Sequence, residues 1–341
     1  MIIAGDVALG QKGMRLTIPE ELTKKPWLVN LEGSLVKDGE RYISINGVFN
    51  DYSAIQELQS RINLSAVSLA NNHILDAEPM NVSLANLKEL GLPSIGVGNN
   101  LKEAGNTVEI GKYTFISFGW ECIECPQAGE NKEGVNPYNK EHVLGSVRQM
   151  LHEGKKVICF FHWNYEFELY PQPYDRELAH QLIDEGVYAV IGAHAHRVQH
   201  IEMYKGHPIV YGLGNFMFSR KTFFNHRLDF GDRSKEEIAF EIKEDGTFAV
   251  HKFEYSHENN EVKYIGSETL LPESRGNATY ENMTSEQYVQ FFKKNRSQKK
   301  LLPIFYYNDS TITYSAKCKF IALRGWALSQ MVKIGAKSQE R

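Results

Sequence analysis

Through the first 215 residues, short apolar runs alternate with helical segments, and no other feature of the chain limits its fold so strongly. Residues 2–6, 27–31, 64–70, 113–118, 157–162 and 187–191 are short, apolar and partly β-branched, which marks them as buried strands. Between them, 52–62, 78–91, 140–154 and 173–186 carry helical periodicity. Gly91, Gly154 and Gly186 stand where a left-handed C-terminal cap belongs. Strands joined by helical crossovers predict a parallel or mixed sheet with both faces covered, an α/β fold. After Gly214 the texture changes. Ile238, Phe240 and Ile242 alternate with polar residues, 244–246 reads as a turn, and 247–255 is again rich in strand formers, which predicts an antiparallel hairpin.

The strand ends carry the chemistry. In Gly192-Ala193-His194-Ala195-His196, two imidazoles lie two residues apart just past an apolar run, and an extended backbone would aim both at one point. Two exposed loop histidines would give the same pattern. The series as a whole is more specific. Asp6 ends the first strand, Glu32 the second, Asn72 and His73 follow the third, and His162 and Glu166 follow the fifth. If the strands run parallel, their carboxyl ends share one edge of the sheet, and these groups gather there. Oxygen and imidazole donors without thiolate suit one or two divalent ions of Mn, Zn or Fe. Two such ions with a nearby histidine as proton donor can drive displacement at phosphorus. Trp163, Tyr165, Phe167, Tyr170 and Tyr174 crowd the same region, either as a platform for a polymeric substrate or as a loop burying its own aromatics.

The chain of 341 residues, 42% hydrophobic and 23% charged, is long enough for one large or two ordinary domains. No apolar run approaches the ~20 residues that span a bilayer, and Met1 leads into a strand without a basic leader, so a cytoplasmic protein, at most peripheral to the membrane, is expected. Cys122 and Cys125 form a C-x-x-C without a partner half or a thioredoxin-like context, and two free thiols in a reducing compartment are expected. Charge is polarised. From Lys293 onward eleven Lys and Arg face two acids, giving +9, and the preceding 292 residues carry −13 of the net −4. An acidic body without a basic patch argues against nucleic acid as partner. Residues 266–286 are polar and rich in turn formers, so the division expected is 1–265 as the main domain and 266–341 as a linker and basic helical extension. Within 317–337, from Lys317 to Lys337, Phe320, Leu323, Ala327, Met331 and Ile334 fall at helical spacing opposite Lys319, Lys333 and Lys337. Such a helix either docks on the acidic body or meets a membrane surface or a membrane-bound synthase.

Six ordered motifs carry a family resemblance: G-D-V at 5–7, V-N-L-E-G at 29–33, S-L-A-N-N-H-x-x-D at 68–76, H-W-x-x-E at 162–166, G-x-H-x-H at 192–196 and Y-G-L-G-N-F-M-F at 211–218. Together they resemble the capsule-synthesis CapA (poly-γ-glutamate synthesis) family of the metallophosphatase, or calcineurin-like phosphoesterase, superfamily. The resemblance implies a four-layer α/β/β/α sandwich, here with a C-terminal amphipathic helical extension. It implies Asp6, Glu32, Asn72, His162, His194 and His196 as metal ligands with Glu32 as the bridge, His73 as general acid, Asp76 orienting it, and Glu166 and Asn215 at the substrate, where Trp163 of the aromatic rim is expected to join them. Ala8 stands where the wider superfamily has a histidine, Glu32 where it has aspartate, and Ala193 where many members have another histidine, so one ion or two stays open. The function implied is a metal-dependent hydrolase of the phosphoesterase type, with metal-bound hydroxide as nucleophile, acting on a phosphate-bearing or polymeric substrate in capsule, exopolysaccharide or poly-γ-glutamate synthesis. Cleavage of a γ-glutamyl amide is a variant of it. The alternative is a non-catalytic or weakly catalytic assembly factor for a membrane-bound polymer synthase.

Overall fold

The computed structural model describes residues 1–219, 222–224, 226, 228, 230–297 and 301–333. The chain lays down part of one sheet, then a second, and then returns to the first. Strands β1 (Ile2–Ala8), β2 (Arg15–Thr17), β3 (Pro26–Leu31), β4 (Asn63–Ser68) and β5 (Ser94–Ile95) begin a nine-stranded sheet. Strands β6 (Val108–Ile110), β7 (Tyr113–Gly119), β8 (Val157–His162), β9 (Ala189–Ala193), β10 (Ile201–Tyr204) and β11 (His207–Val210) form a six-stranded one in the order β10-β11-β9-β8-β7-β6. Strands β12 (Asn215–Phe218), β13 (Glu236–Ile242), β14 (Phe248–Ser256) and β15 (Glu261–Leu270) complete the first, ordered β2-β15-β14-β13-β1-β3-β4-β5 with β12 also paired to β1. The pairings β1–β3, β3–β4, β7–β8 and β8–β9 are parallel. The hairpin β13–β14 is antiparallel, as the alternation after Gly214 required.

Period-two alternation sorts the core. Ile3, Leu28 and Ala66 of the first sheet share one buried cluster with Phe115, Ile158, Phe160 and Ile191 of the second. Their neighbours Ile2, Ala4, Trp27 and Val29, and on the second sheet Ile116, Phe118 and Phe161, enter another cluster with the helices. Those helices are α1 (Tyr52–Arg61), α2 (Met80–Glu89), α3 (Lys140–His152) and α4 (Pro173–Glu185). Three of them begin at a side-chain cap. Asp51 accepts from the Ser53 and Ala54 N–H groups ahead of α1, Asn139 caps α3, and Gln172 with Asp175 makes a capping box ahead of α4, whose first residue is Pro173. The crossovers pack on the faces of the sheets and let successive strands run parallel, so their carboxyl ends share an edge.

The C-terminal region continues this packing. Gly266, where the composition shifts, lies inside β15, and Tyr280, Tyr288, Phe292 and Phe305 belong to the main core cluster. Helix α5 (Ser285–Asn295) is followed by α6 (Thr311–Lys333); Ile334 and Lys337 of the expected basic helix lie outside the described residues. Among the described residues no helix is long and apolar enough to cross a membrane. The expectation of two free thiols at 122 and 125 is overturned at Cys122, which forms a disulfide with Cys318 of α6, 196 residues away. Cys125 and Cys159 are free and buried. Sequence spacing misled here because the partner comes from the opposite end of the chain, and the reducing compartment inferred from free thiols loses its support.

Candidate metal centre

The carboxyl ends of β1, β3, β8 and β9 meet, and the side chains at those ends face one another. Asp6 and Glu32 are both fully buried. Close approach of backbones sets the edge: the Asp6 N–H donates to Gly214 O at 3.2 Å, and a Cβ on Gly5 would lie 1.9 Å from that oxygen, so only glycine fits there. Asp6, Glu32 and His196 offer ligand atoms within 4.8 Å of one another. His196 Nδ1 is 3.5 Å from Asp6 Oδ2, and its Nε2 is 3.7 Å from Glu32 Oε1. A second group adjoins the first. His162 Nε2 lies 2.9 Å from Asn72 Oδ1 and 3.1 Å from His194 Nδ1. The Asn30 amide donates to Asp6 Oδ1 at 2.7 Å and approaches His162 Nδ1 at 3.3 Å, so one amide holds a member of each group.

His73 stands at the rim of this cluster. Its Nδ1–H donates to Asp76 Oδ2 at 2.6 Å, which turns Nε2 toward Glu32 Oε1, 3.6 Å away. Asp76 is fixed by the Val48 N–H at 2.9 Å. Asn71 sets the turn, accepting from the His73 and Gly33 N–H groups at 3.1 and 3.2 Å while donating to Leu31 O at 2.9 Å. Asn215 on β12 accepts from His196 Nδ1 at 2.9 Å, and its own amide nitrogen is buried without a partner.

Electrostatics single out Glu32. Both carboxylate oxygens are buried without a hydrogen bond. Burial, with the nearby charges of Asp6, Glu166 and Asp76, pushes its carboxyl well above the usual range. Burial also raises Asp6, although His196 and Asn30 oppose it, and burial with the neighbouring His196 and His73 drives His162 well below the imidazole range. Neutral imidazoles and orphaned carboxylate oxygens are the donors a divalent cation takes, and a cation would remove the cost of leaving them uncompensated. The residues present therefore fit a metal ion.

Aromatic side chains close the site. The remaining space above Glu32, His73 and His196 is about 10 Å³, lined also by Val48, Glu166, Phe167, Phe218, Phe224, Leu228 and Phe230. Phe230 stacks on His196 with ring centres 4.4 Å apart, and Phe224 meets His73 edge-on at 6.1 Å. That volume holds no more than about one water.

The sequence series thus arrives together, with two corrections. The two imidazoles do not converge through an extended strand: β9 ends at Ala193, and His194 and His196 take φ of 87° and 50°. Two left-handed turns direct the rings, a conformation costly for non-glycine residues and concentrated at functional sites. Trp163 does not line the cavity. It is fully buried, stacked on Phe161 at 4.6 Å, and donates its indole N–H to Tyr211 O at 2.9 Å. Tyr165 and Tyr174 are likewise buried; of the expected aromatic platform only Phe167 reaches the cavity. Asn30 was missed, although it stands two residues before Glu32 on the same strand face.

The model of the bacterial capsule synthesis protein PGA_cap matches residues 21–220. The chain belongs to this family. PGA_cap is part of the metallophosphatase-like superfamily, and the matched residues run from before β3 to the end of β12, through every candidate ligand but Asp6. Similar proteins include the PGA biosynthesis protein CapA of Bacillus subtilis, 28% identical over 47% of this chain, and the capsule biosynthesis protein CapA of Bacillus anthracis, 28% identical over 46% of it. A probable polyglutamine synthesis accessory protein of Mycobacterium tuberculosis is 28% identical over 60%. The aligned regions cover 44%, 40% and 58% of those proteins, so the chain spans about half the length of the curated relatives it matches.

Proposed function

We propose that this PGA_cap protein is a metal-dependent hydrolase of the phosphoesterase type acting on a phosphate-bearing or polymeric intermediate in capsule or poly-γ-glutamate synthesis. The observation that carries the reading is the fully buried Glu32 carboxylate, left without hydrogen bonds among Asp6, His196 and His73. The shared buried cluster between two sheets, with helices on their other faces, supports the α/β/β/α sandwich; 1–265 would be the catalytic body, and 266–341 an extension that shares its core. Asp6, Glu32, Asn72, His162, His194 and His196 would hold one or two ions of Mn, Zn or Fe. A bound ion supplies Lewis acidity at phosphoryl oxygen and lowers the pKa of water. The protein's own part is separate. Asp76 holds His73 in one orientation, with Nε2 turned to the Glu32 rim, where it can deliver a proton to a departing oxygen. Glu166 lines the remaining space, Asn215 holds His196 from behind with its own amide nitrogen unpartnered, and the aromatic cover limits the space to about one water. Amide hydrolysis of a γ-glutamyl bond would use the same groups.

The test is metal content by elemental analysis combined with hydrolysis of a generic phosphodiester. His73→Ala is expected to keep the metal and lose about 10²–10⁴-fold in turnover. Unchanged turnover would remove His73 from that role. The 10 Å³ cavity favours a second reading, in which the metal serves structure and the protein is an assembly factor for a membrane-bound synthase, contacted through 317–337. Bound metal with no hydrolysis of phosphodiester or γ-glutamyl substrate would select it.

A further inference from the structure

Helix α6 is fastened to the body by the face that carries Tyr314, Lys317, Cys318 and Ile321, so the apolar residues and Lys319, expected on opposite sides, share the outer face. Cys318 is bonded to Cys122, the Tyr314 hydroxyl accepts from Trp120 Nε1 at 2.7 Å, and Lys317 donates to Asp309 Oδ2 at 2.5 Å and to Ile304 O at 2.7 Å. Tyr314, Cys318 and Ile321 pack on the core cluster. The apolar residues at helical spacing consequently point outward. Ile312 is 83% exposed, Phe320 48%, Leu323 64% and Trp326 62%, with Ala316 and Ala327 exposed between them. Spaced at 312, 316, 320, 323 and 326–327, they make one ridge about 21 Å long at the α-helical rise. The disulfide prevents the helix from turning this ridge inward.

We infer that the outer face of α6 is a docking surface for an anionic lipid bilayer. Charge decides between occupants. From Ser310 to Ser338 the sequence holds no Asp or Glu and five Lys or Arg, with Lys319 exposed within the ridge. Lys317 is turned inward onto Asp309, so Lys319 is the cation exposed on this face, and with an acidic body behind it this side is the one that meets an anionic surface. A ridge of Ile, Phe, Leu, Trp and Ala around Lys319 suits insertion at a headgroup boundary, where indole and phenyl rings take the interface and lysine meets phosphate. Stably exposed apolar surface of this kind signals a binding face. The inference concerns a surface distant in sequence from the metal ligands and does not depend on catalysis.

Trp326 also supplies the measurement. Of the four tryptophans, Trp27, Trp120 and Trp163 are at most 1% exposed, so an environment change at the surface is reported by Trp326. The full chain is mixed with vesicles of phosphatidylcholine alone and with added phosphatidylglycerol, following co-sedimentation and tryptophan emission. Binding is expected only with phosphatidylglycerol, weakening as salt rises, with emission shifted to the blue. Lys319→Gln should lower the affinity about fivefold. The combined variant Phe320→Ser, Leu323→Ser, Trp326→Ser should lower it at least about tenfold with unchanged circular dichroism, and Phe320→Ser with Leu323→Ser should remove the blue shift while Trp326 remains. Absence of binding, equal binding to both vesicle types, or binding unaffected by the combined variant overturns the inference. So does a concentration-dependent dimer that the variant dissolves, since a second copy would then be the occupant.

Discussion

Glu32 and Glu202 are both fully buried carboxylates, and their surroundings are opposite. Glu202, on β10, accepts from Arg176 Nη2 at 2.9 Å and Nε at 3.3 Å, from His180 at 2.9 Å and from the Tyr211 hydroxyl at 2.7 Å. Burial alone would raise its carboxyl, but these partners hold it below the usual range. Arg176 in turn packs beneath Tyr288, 4.9 Å from the ring centre, tying α4 to α5. The Glu32 carboxylate accepts no hydrogen bond, and its pKa is pushed far upward. One region neutralises its buried charge from within the fold. The other gathers charge and leaves its neutralisation to something that arrives from outside, which separates a structural cluster from a ligand site.

Removing each carboxylate breaks the comparison most sharply. Glu202→Ala strands a buried guanidinium and should cost about 3–5 kcal/mol in urea denaturation of metal-free protein. Glu32→Gln in the same metal-free state should leave stability equal or raise it, because it relieves a buried charge next to Asp6 and Glu166. Equal losses from the two substitutions would show Glu32 to be structural as well.

Metal addition sharpens it from the other side. At an ion concentration of 100 times Kd, wild type should gain about 2.7 kcal/mol, read as a rise in Tm. Glu32→Gln should gain little. Conservative replacement Glu202→Gln, though destabilised, should keep the full metal-dependent increment. An increment that survives Glu32→Gln would place the ion elsewhere.

The contrast also explains what was legible in the sequence. Strands and helices were readable because their periods are local, and Gly91, Gly154 and Gly186 do take positive φ as caps. The return of β12–β15 to the first sheet was not, since strand order depends on pairings across more than 200 residues. The ligand series could be read because parallel strands place their ends together. Trp163 was misassigned although alternation argues against it: His162 faces the site, so its neighbour faces the core. Asn30 was overlooked despite sharing a strand face with Glu32. Phe224 and Phe230 had no local signal, because their partners His73 and His196 are set by tertiary folding. The Arg176–Glu202 cluster was equally silent, as was the Cys122–Cys318 pairing that turns the apolar residues of α6 outward.

The smallest expected effect lies beside the structural cluster, at Asp175, one residue before Arg176. Burial pushes its carboxyl up to about 7, although the Tyr138 hydroxyl donates to it at 2.7 Å and the Gln172 N–H at 3.3 Å. Its folded pKa thus exceeds the unfolded value of 3.8, so the native state holds a proton that the unfolded state has released. The associated stability is full below about pH 4 and declines as pH rises to about 7. Asp175→Asn keeps the acceptor for Tyr138 and removes the titration. The stability of wild type relative to this variant should therefore fall by about 2 kcal/mol between pH 5 and pH 7 and level off above pH 8. Glu202, held below the usual range, titrates in the opposite sense, so Glu202→Gln should show no such decline between pH 5 and pH 7. A difference between wild type and Asp175→Asn that is flat across this interval would mean that Tyr138 and Gln172 neutralise Asp175 as completely as Arg176 neutralises Glu202.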